Sequence, residues 1–590
     1  MIGFYLAVDK KANTVGELFR SPFEAPADTE ALGQSGLHIF SDDRVQIAHS
    51  NSYATFSIGS LIYKNRWQKQ ALELIIYDLD NGKALQEIMP ETRGQFCLVV
   101  HSPEKVFVIT DKLGSFPVYR FEDTDTIQIS NLFLPLAKRN SVTVNYQALA
   151  EYLSFDYCFG GTFFNEISLL KKGRIYKFGL DVEVHVYDDF PAGMVFCKYK
   201  EVDEISHLAH EILASNLSFL EQHHGRIFAD LTGGFDTRTI ATVLKSMNMD
   251  FETGISGEQI LNESRIAQEV AKSLQVKHHD DIKITDKDTF NRIVNQHFAI
   301  ANWAPILYHS SELIYYYEHI KKNFDIHVTG FAGSQLFDQF LPRLGLFSCR
   351  LKPRLLFEKT YGFKDIIRGT FITKAPYYER LNKKTTAVLE EIGSDVHDEA
   401  ACFFPIATFN KYYHGSIIGT HNALMPSYCP FLESNIVRLM IETAYDLKKD
   451  RTVQRALLTK LNPEVSLIMT SHGYNANLNP NETELLYKKA KQIAKSLGRQ
   501  MIYELGFPVK IMRGIQNFSR KLRQPTHLEL IHRSFWVDEV ENNWSDDMEI
   551  FDVLDRAKFA KQLARDPYVP KLKAKVIYVN RLMNECKPKS

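Results

Sequence analysis

Arg226-Ile227-Phe228-Ala229-Asp230-Leu231-Thr232-Gly233-Gly234-Phe235-Asp236-Thr237-Arg238-Thr239-Ile240-Ala241-Thr242-Val243-Leu244 opens as an apolar run, breaks at hydroxyl-Gly-Gly-apolar-Asp-hydroxyl, and resumes with apolar residues at helical spacing. The pattern predicts a strand, a tight glycine turn and the start of a helix. Such a junction is a place for phosphate. Gly233 and Gly234 let backbone amides approach an anion with no Cβ in the way, and the first helical turn offers unpaired N–H groups. Thr232 and Thr237 add hydroxyl donors, and Arg238 adds a fixed positive charge. A lone Gly-Gly between a buried strand and a helix is a common turn; the flanking hydroxyls, Asp236 and Arg238 set this one apart. No Gly-Lys-Ser/Thr follows, so the loop is not of the Walker type.

A chain of 590 residues exceeds what one hydrophobic core organises, so two or more domains are expected. Hydrophobic residues make up 45% and charged ones 24%, the balance of an ordinary soluble globular protein. A net charge of -1 gives no global reason to seek nucleic acid or an anionic membrane as partner. Seven scattered cysteines with no Cys-x-x-Cys pair indicate neither a disulfide framework nor a zinc knuckle. His278-His279-Asp280-Asp281 invites a metal reading, but neighbouring strand residues point to opposite faces, so a solvated turn before a strand is the expectation there and at His223-His224. The apolar start Met1–Val8 meets Asp9 and Lys10 too soon for a signal segment, and no later run is long enough to span a bilayer. A cytoplasmic location is expected.

The loop resembles the pyrophosphate loop of the asparagine synthetase family, Ser-Gly-Gly-Leu-Asp-Ser-Ser. Thr232, Gly233, Gly234, Asp236 and Thr237 match it, while Phe235 and Arg238 depart. The resemblance implies ATP held by its β- and γ-phosphates while a carboxylate is adenylated, with Asp236 facing magnesium. Upstream, the chain reads mostly as short strands, among them Phe96–His101, Val106–Thr110 and Ile127–Ser130. There Arg93-Gly94-Gln95-Phe96, Asp111-Lys112-Leu113-Gly114-Ser115-Phe116-Pro117-Val118-Tyr119 and Ile129-Ser130 resemble the family's glutaminase domain. Glu151-Tyr152-Leu153, Phe163-Phe164-Asn165-Glu166-Ile167 and Lys172-Gly173 are similar to its connector. In that family a cysteine follows the initiator Met; here Ile2 stands in its place, and isoleucine cannot form the thioester. Glutamine hydrolysis is therefore expected to be lost, unless Cys97 or Cys158 has taken over.

Farther on, Ile326-His327-Val328-Thr329-Gly330-Phe331-Ala332-Gly333-Ser334-Gln335-Leu336-Phe337 is a second strand, glycine turn and helix. It resembles the family's Gly-Glu-Gly-Gly-Asp-Glu-Leu-Phe only in part. Phe331 falls on the expected base and Ser334 on the second magnesium ligand. Pro430-Phe431-Leu432 keeps a third motif, and Ser471-His472-Gly473-Tyr474 stands where a Lys-x-Gly-Phe is expected, with His472 a substitute for the lysine. Beyond 475 the resemblance ends, and helices are expected over Leu485–Leu497, Val509–Leu522 and Arg556–Leu563, many of their basic residues on a solvated face.

The expectation is an α/β protein. Residues 1–195 would form an Ntn-hydrolase-like β-rich sandwich without glutaminase activity, and 196–475 a doubly wound parallel-sheet ATP-pyrophosphatase domain. Residues 476–590 would be a helical basic extension. The resemblance implies an ATP-dependent ligase that joins a small-molecule or peptide carboxylate to an amine, with ATP and magnesium as cofactors. Asp236 and His472 are the candidate catalytic residues. Thr232, Gly233, Gly234, Asp236, Thr237, Arg238, Gly330 and Gly333 are the candidate nucleotide contacts. The alternative is a nucleotide- or peptide-binding protein that has lost turnover, which the changes at Ile2, Phe331, Ser334 and Ser471 favour.

Overall fold

The computed structural model describes residues 3–9, 36–40, 47–102, 105–139, 141–178, 182–256, 261–280, 282–301, 310–338, 366–393, 397–471, 473–477, 535–563 and 569–586. Ile2, His472 and the helices expected over 485–497 and 509–522 lie outside these residues.

Short apolar runs build two antiparallel sheets in the amino-terminal part. One runs in the order Ile167–Leu169, Tyr119–Glu122, Thr126–Ser130, Gly3–Asp9, Gly36–Phe40. The other runs Val182–Val186, Arg174–Phe178, Val106–Thr110, Phe96–His101, Ala54–Gly59, Ile47–His49. Side chains on successive strand residues point to opposite faces, and here both faces are covered. Phe4 and Leu6 of the first sheet meet Phe56, Ile58, Cys97 and Val99 of the second in one core. Phe96, Leu98 and Val100 pack on the other side beneath Leu72, Ile75 and Leu79 of the helix Lys69–Asp80. Tyr5 and Ala7 face Leu136, Leu149 and Leu153 of the helices Phe133–Arg139 and Tyr146–Phe155. The order of layers is helix, sheet, sheet, helix. The Asp111 motif is a turn: its carboxylate accepts the N–H groups of Leu113, Ser115 and Phe116 at 3.0, 2.9 and 2.7 Å, and Gly114 takes φ +63°.

The second half holds a parallel sheet in the order His278–His279, Glu252–Gly254, Ile227–Asp230, Ile326–Val328, Ser427–Tyr428. The strand entering first, Ile227–Asp230, lies in the middle. Its next two strands are added on one side and the last two on the other, so the chain reverses direction between Ile227–Asp230 and Ile326–Val328. In open parallel sheets that reversal leaves a crevice beyond the carboxyl ends of the two flanking strands.

His278 and His279 correct the expectation of a turn: they are themselves the edge strand. Their side chains do part, His278 Nδ1 lying 3.0 Å from Thr253 Oγ1 and His279 Nε2 lying 2.6 Å from Glu252 Oε2. At the carboxyl end, Arg556–Leu563 is helical as expected, and Val569–Glu585 packs along Tyr146–Phe155. Lys575 is buried and donates to the carbonyl of Tyr152 at 3.0 Å. It also pairs with Asp156, which Lys571 reaches at 2.7 Å. The last carbonyls of a helix lack intrahelical donors, and these lysines serve that end.

Candidate functional site

Ile227, Phe228 and Ala229 are buried by the sheet, and the chain then turns sharply into the helix Asp236–Ser246. Phe235 stands at the cap position of that helix and supplies no side-chain hydrogen bond. Two threonines hold the turn: Thr232 N–H donates to Thr237 Oγ1 at 3.0 Å, their hydroxyls lie 3.1 Å apart, and Gly234 N–H donates to Thr232 Oγ1 at 3.3 Å. A Cβ on Gly233 would lie 3.2 Å from Glu263 Cα and from Ser471 Cβ, so this glycine is wedged between neighbouring segments. Among the described residues, a Cβ on Gly234 would meet only Thr232 Oγ1, at 3.5 Å, and otherwise faces open space.

The second glycine turn follows Ile326–Val328 and lies against the first. A Cβ on Gly330 would fall 2.8 Å from the backbone C of Asp236 and N of Thr237, and one on Gly333 would fall 2.6 Å from Asp236 Cγ. These glycines permit the two turns to touch, which is a packing reason for glycine at both positions. Arg238 leaves the set altogether. It is fully buried, and its guanidinium donates to the carbonyls of Ile468, Met469 and Val465 at 2.7, 3.2 and 3.4 Å. Burial lowers its pKa to about 10. Thr232, Gly233, Gly234, Asp236, Thr237, Gly330 and Gly333 thus come together, and Arg238 does not.

Asp236, the expected magnesium ligand, is held by protein groups. Its Oδ1 accepts from Arg451 Nη1 at 2.7 Å and from Gln454 Nε2 at 3.1 Å. Its Oδ2 accepts from Ser334 Oγ at 2.8 Å, and Ser334 Oγ in turn accepts from Arg451 Nη2 at 2.8 Å. Arg451 Nε lies 3.5 Å from Asp338 Oδ2. Burial would lower the Arg451 pKa, but Asp236 and Asp338 outweigh it and raise the value. Two successive left-handed residues, Asp450 at φ 54° and Arg451 at φ 58°, aim this side chain, a backbone state that non-glycine residues rarely adopt. Magnesium takes near-octahedral oxygen ligands at about 2.1 Å. Here a guanidinium lies on the one expected carboxylate, and among the described residues no group of three or more His, Cys, Asp or Glu could hold a metal. The residues do not fit a magnesium ion held by the protein.

Arg451 and Gln454 were not marked by sequence, although a signal exists. An arginine directly before the helix Thr452–Leu461 puts a cation at the end of a helix that favours anions, so it calls for a carboxylate nearby.

Buried aromatic and histidine rings lie behind the second turn. Phe331 packs on His414 and His421 at 5.7 and 5.6 Å between ring centroids. His414 ends the π-helical segment Ile406–His414, and burial pulls its pKa down to about 4, with Asp236 opposing. A base with a depressed folded pKa gives stability that is complete above about 6.5 and lost as pH falls, at about 1.4 kcal/mol per pH unit. His414→Gln is therefore expected to gain roughly 2–3 kcal/mol on the parent between pH 6.5 and 4.5, read from denaturant midpoints at the two pH values. A constant difference would mean that His414 titrates normally. Below the turns, His327 lies 3.0 Å from Asp230 and 2.8 Å from Ser427 Oγ. Both His327 and Ser427 are 0% exposed, so this chain ties three strands together and presents no nucleophile.

Neither Cys97 nor Cys158 is placed to replace the missing amino-terminal thiol, because both are buried and burial pushes both thiols up. A cleft of about 560 Å³ lined by Trp67, His223, Gly225, Asp325 and Pro426 opens at the amino ends of the parallel strands, away from the glycine turns.

No protein-family model and no curated protein matches the chain. Among solved structures it is similar to the allosteric regulatory enzyme of purine biosynthesis, at 9% identity and a TM-score of 0.18, over 43% of this chain and 59% of that one. It is similar at the same identity and TM-score to glutamine phosphoribosylpyrophosphate (PRPP) amidotransferase from B. subtilis complexed with ADP and GMP, over 49% of this chain and 64% of that one. The chain thus matches less than two thirds of the length of either, and a TM-score of 0.18 is too low for the likeness to bear on its activity.

Proposed function

We propose that the chain is an ATP-dependent ligase of the asparagine synthetase type. A carboxylate oxygen attacks the α-phosphorus of ATP, the α–β anhydride breaks and pyrophosphate leaves; an amine then attacks the acyl carbon and displaces AMP. The observation that carries this reading is the pair of glycine turns at the carboxyl ends of the two strands flanking the sheet reversal. There Gly234 faces open space, beside a helix start that has no side-chain cap. The N–H groups of the first helical turn, which have no intrahelical acceptor, and the positive end of the helix suit a polyphosphate, although Gly234 N–H itself donates to Thr232. The carboxylate and amine come from small molecules or peptides. In this proposal the amino-terminal sandwich is an Ntn-type glutaminase domain without hydrolysis, and the amine is taken up from outside. No step is assigned to magnesium, because Arg451 lies on its only expected ligand.

The same ion pair, with Phe331 in the place of the expected base, favours a second reading: a protein that binds nucleotide and does not turn it over. Pyrophosphate release from ATP, measured with a library of carboxylates, separates the two. Release that depends on one class of carboxylate is the result expected. ATP binding with no release from any member would leave the binding protein.

A further inference from the structure

We propose that Arg451 takes the place of the divalent cation in this site: the guanidinium is the positive charge that Asp236 fixes beside the glycine loop, and the chain binds polyphosphate without holding a metal ion. This rests on reading the loop as a polyphosphate site.

Three observations converge on it. The first is occupancy. Asp236 accepts from Arg451, Gln454 and Ser334 within 3.1 Å, which takes three of its roughly four lone-pair sites and puts a guanidinium charge against any cation that would join it. Arg451 is the harder to displace because its side chain is only 6% exposed. The second is charge matching. At the junction itself the second turn offers Ser334 where a metal would call for a second acid, so one carboxylate and one hydroxyl bind the guanidinium there, with Asp338 farther out at 3.5 Å. Ser334 is that hydroxyl: it donates to Asp236 and accepts from Arg451, each at 2.8 Å, which closes a ring that a second carboxylate would load with excess negative charge. The third is backbone cost. Consecutive left-handed conformations at Asp450 and Arg451 are unfavourable for non-glycine residues and persist only where the surroundings fix them. Here they direct one guanidinium to the junction of both glycine turns. An arginine also stays charged at every physiological pH, so the substitution gives a permanent cation where a metal would come and go.

Removing the guanidinium should expose the divalent character of the place, because Asp236 and Asp338 flank it at 2.7 and 3.5 Å. The test uses the full chain in two arms. In the first, manganese(II) alone is titrated and free ion is followed by its paramagnetic resonance signal. The parent is expected to take up none at one equivalent, and Arg451→Ala to bind at least about tenfold more tightly than the parent. In the second arm, ATP affinity is measured by calorimetry in EDTA and in excess magnesium. The parent's affinity should differ by less than about threefold between the two, and Arg451→Ala should lose at least about tenfold in EDTA and recover part of it with magnesium. Stoichiometric manganese uptake by the parent, or loss of its ATP binding in EDTA alone, would overturn the proposal. Should Arg451→Ala fail to fold in a thermal melt, the parent's two results decide by themselves. No ATP binding under either condition would sink the ligase reading, while the manganese arm would still judge the role of Arg451.

Discussion

Gly234→Val is expected to lower ATP affinity by at least about a hundredfold with little change in melting temperature, and Gly330→Ala to do the reverse. The two glycines differ in what surrounds them. Beyond Thr232 Oγ1 at 3.5 Å, a Cβ on Gly234 enters open space, so the folded chain can accept a side chain there. That space is where phosphate oxygens would approach the loop amides, and isopropyl bulk excludes them. A Cβ on Gly330 instead runs into the backbone of Asp236 and Thr237 at 2.8 Å, and backbone at a helix start cannot swing aside as a flexible side chain can. Forcing atoms into a filled space costs about 1–3 kcal/mol and sometimes more. ATP titration and calorimetric melting of both variants check the pair. Were Gly234→Val to bind ATP like the parent, this stretch would not be the phosphate site and the ligase reading would lose its support.

Asp236→Asn is expected to destabilise the fold as well as the site, by about 3 kcal/mol. The substitution keeps shape but leaves the buried Arg451 guanidinium without the charge at 2.7 Å, and Asp338 at 3.5 Å compensates only in part. Breaking a buried pair by removing one partner is costly because the other charge stays behind. In the double variant Asp236→Asn with Arg451→Met, that orphaned charge is gone, so part of the loss should return. Urea unfolding of the parent, both single variants and the double gives the coupling directly, and about 2 kcal/mol is expected. A coupling near zero would mean that the two side chains do not meet in solution. From sequence alone the same substitution removes the charge expected to face magnesium; the ion pair is what adds a cost to the fold.

The fold was legible where periodicity is local. Phe96–His101 and Val106–Thr110 are short apolar runs and are strands, and the apolar run into Gly233 ends in a turn and a helix. The site was legible only along one segment. Arg451 reaches Asp236 from 215 positions away, and no local pattern spans that distance. Arg238 is a different kind of miss, because the signal was present. Two residues along a helix turn about 200°, so Arg238 could not share the face of Asp236, and it is found among carbonyls on the far side. Gly330 and Gly333 read as ligand contacts because a glycine against backbone and a glycine against phosphate look alike in sequence. His278-His279 was read as a turn because a two-residue edge strand carries no period.

The lysines of the last described helix have a consequence for biosynthesis. The Tyr152 carbonyl, which already accepts from Asp156 N–H at 3.0 Å, receives a second donor from Lys575, 423 positions later, and Asp156 receives Lys571, 415 positions later. On the ribosome, the amino-terminal layers can condense early, yet the Asp156 carboxylate at the end of Tyr146–Phe155 stays without its two lysines until almost the whole described chain has emerged. A product arrested before Val569 would display that unpaired acid to chaperones and proteases, so the helix Val569–Glu585 acts as a latch on the amino-terminal layers.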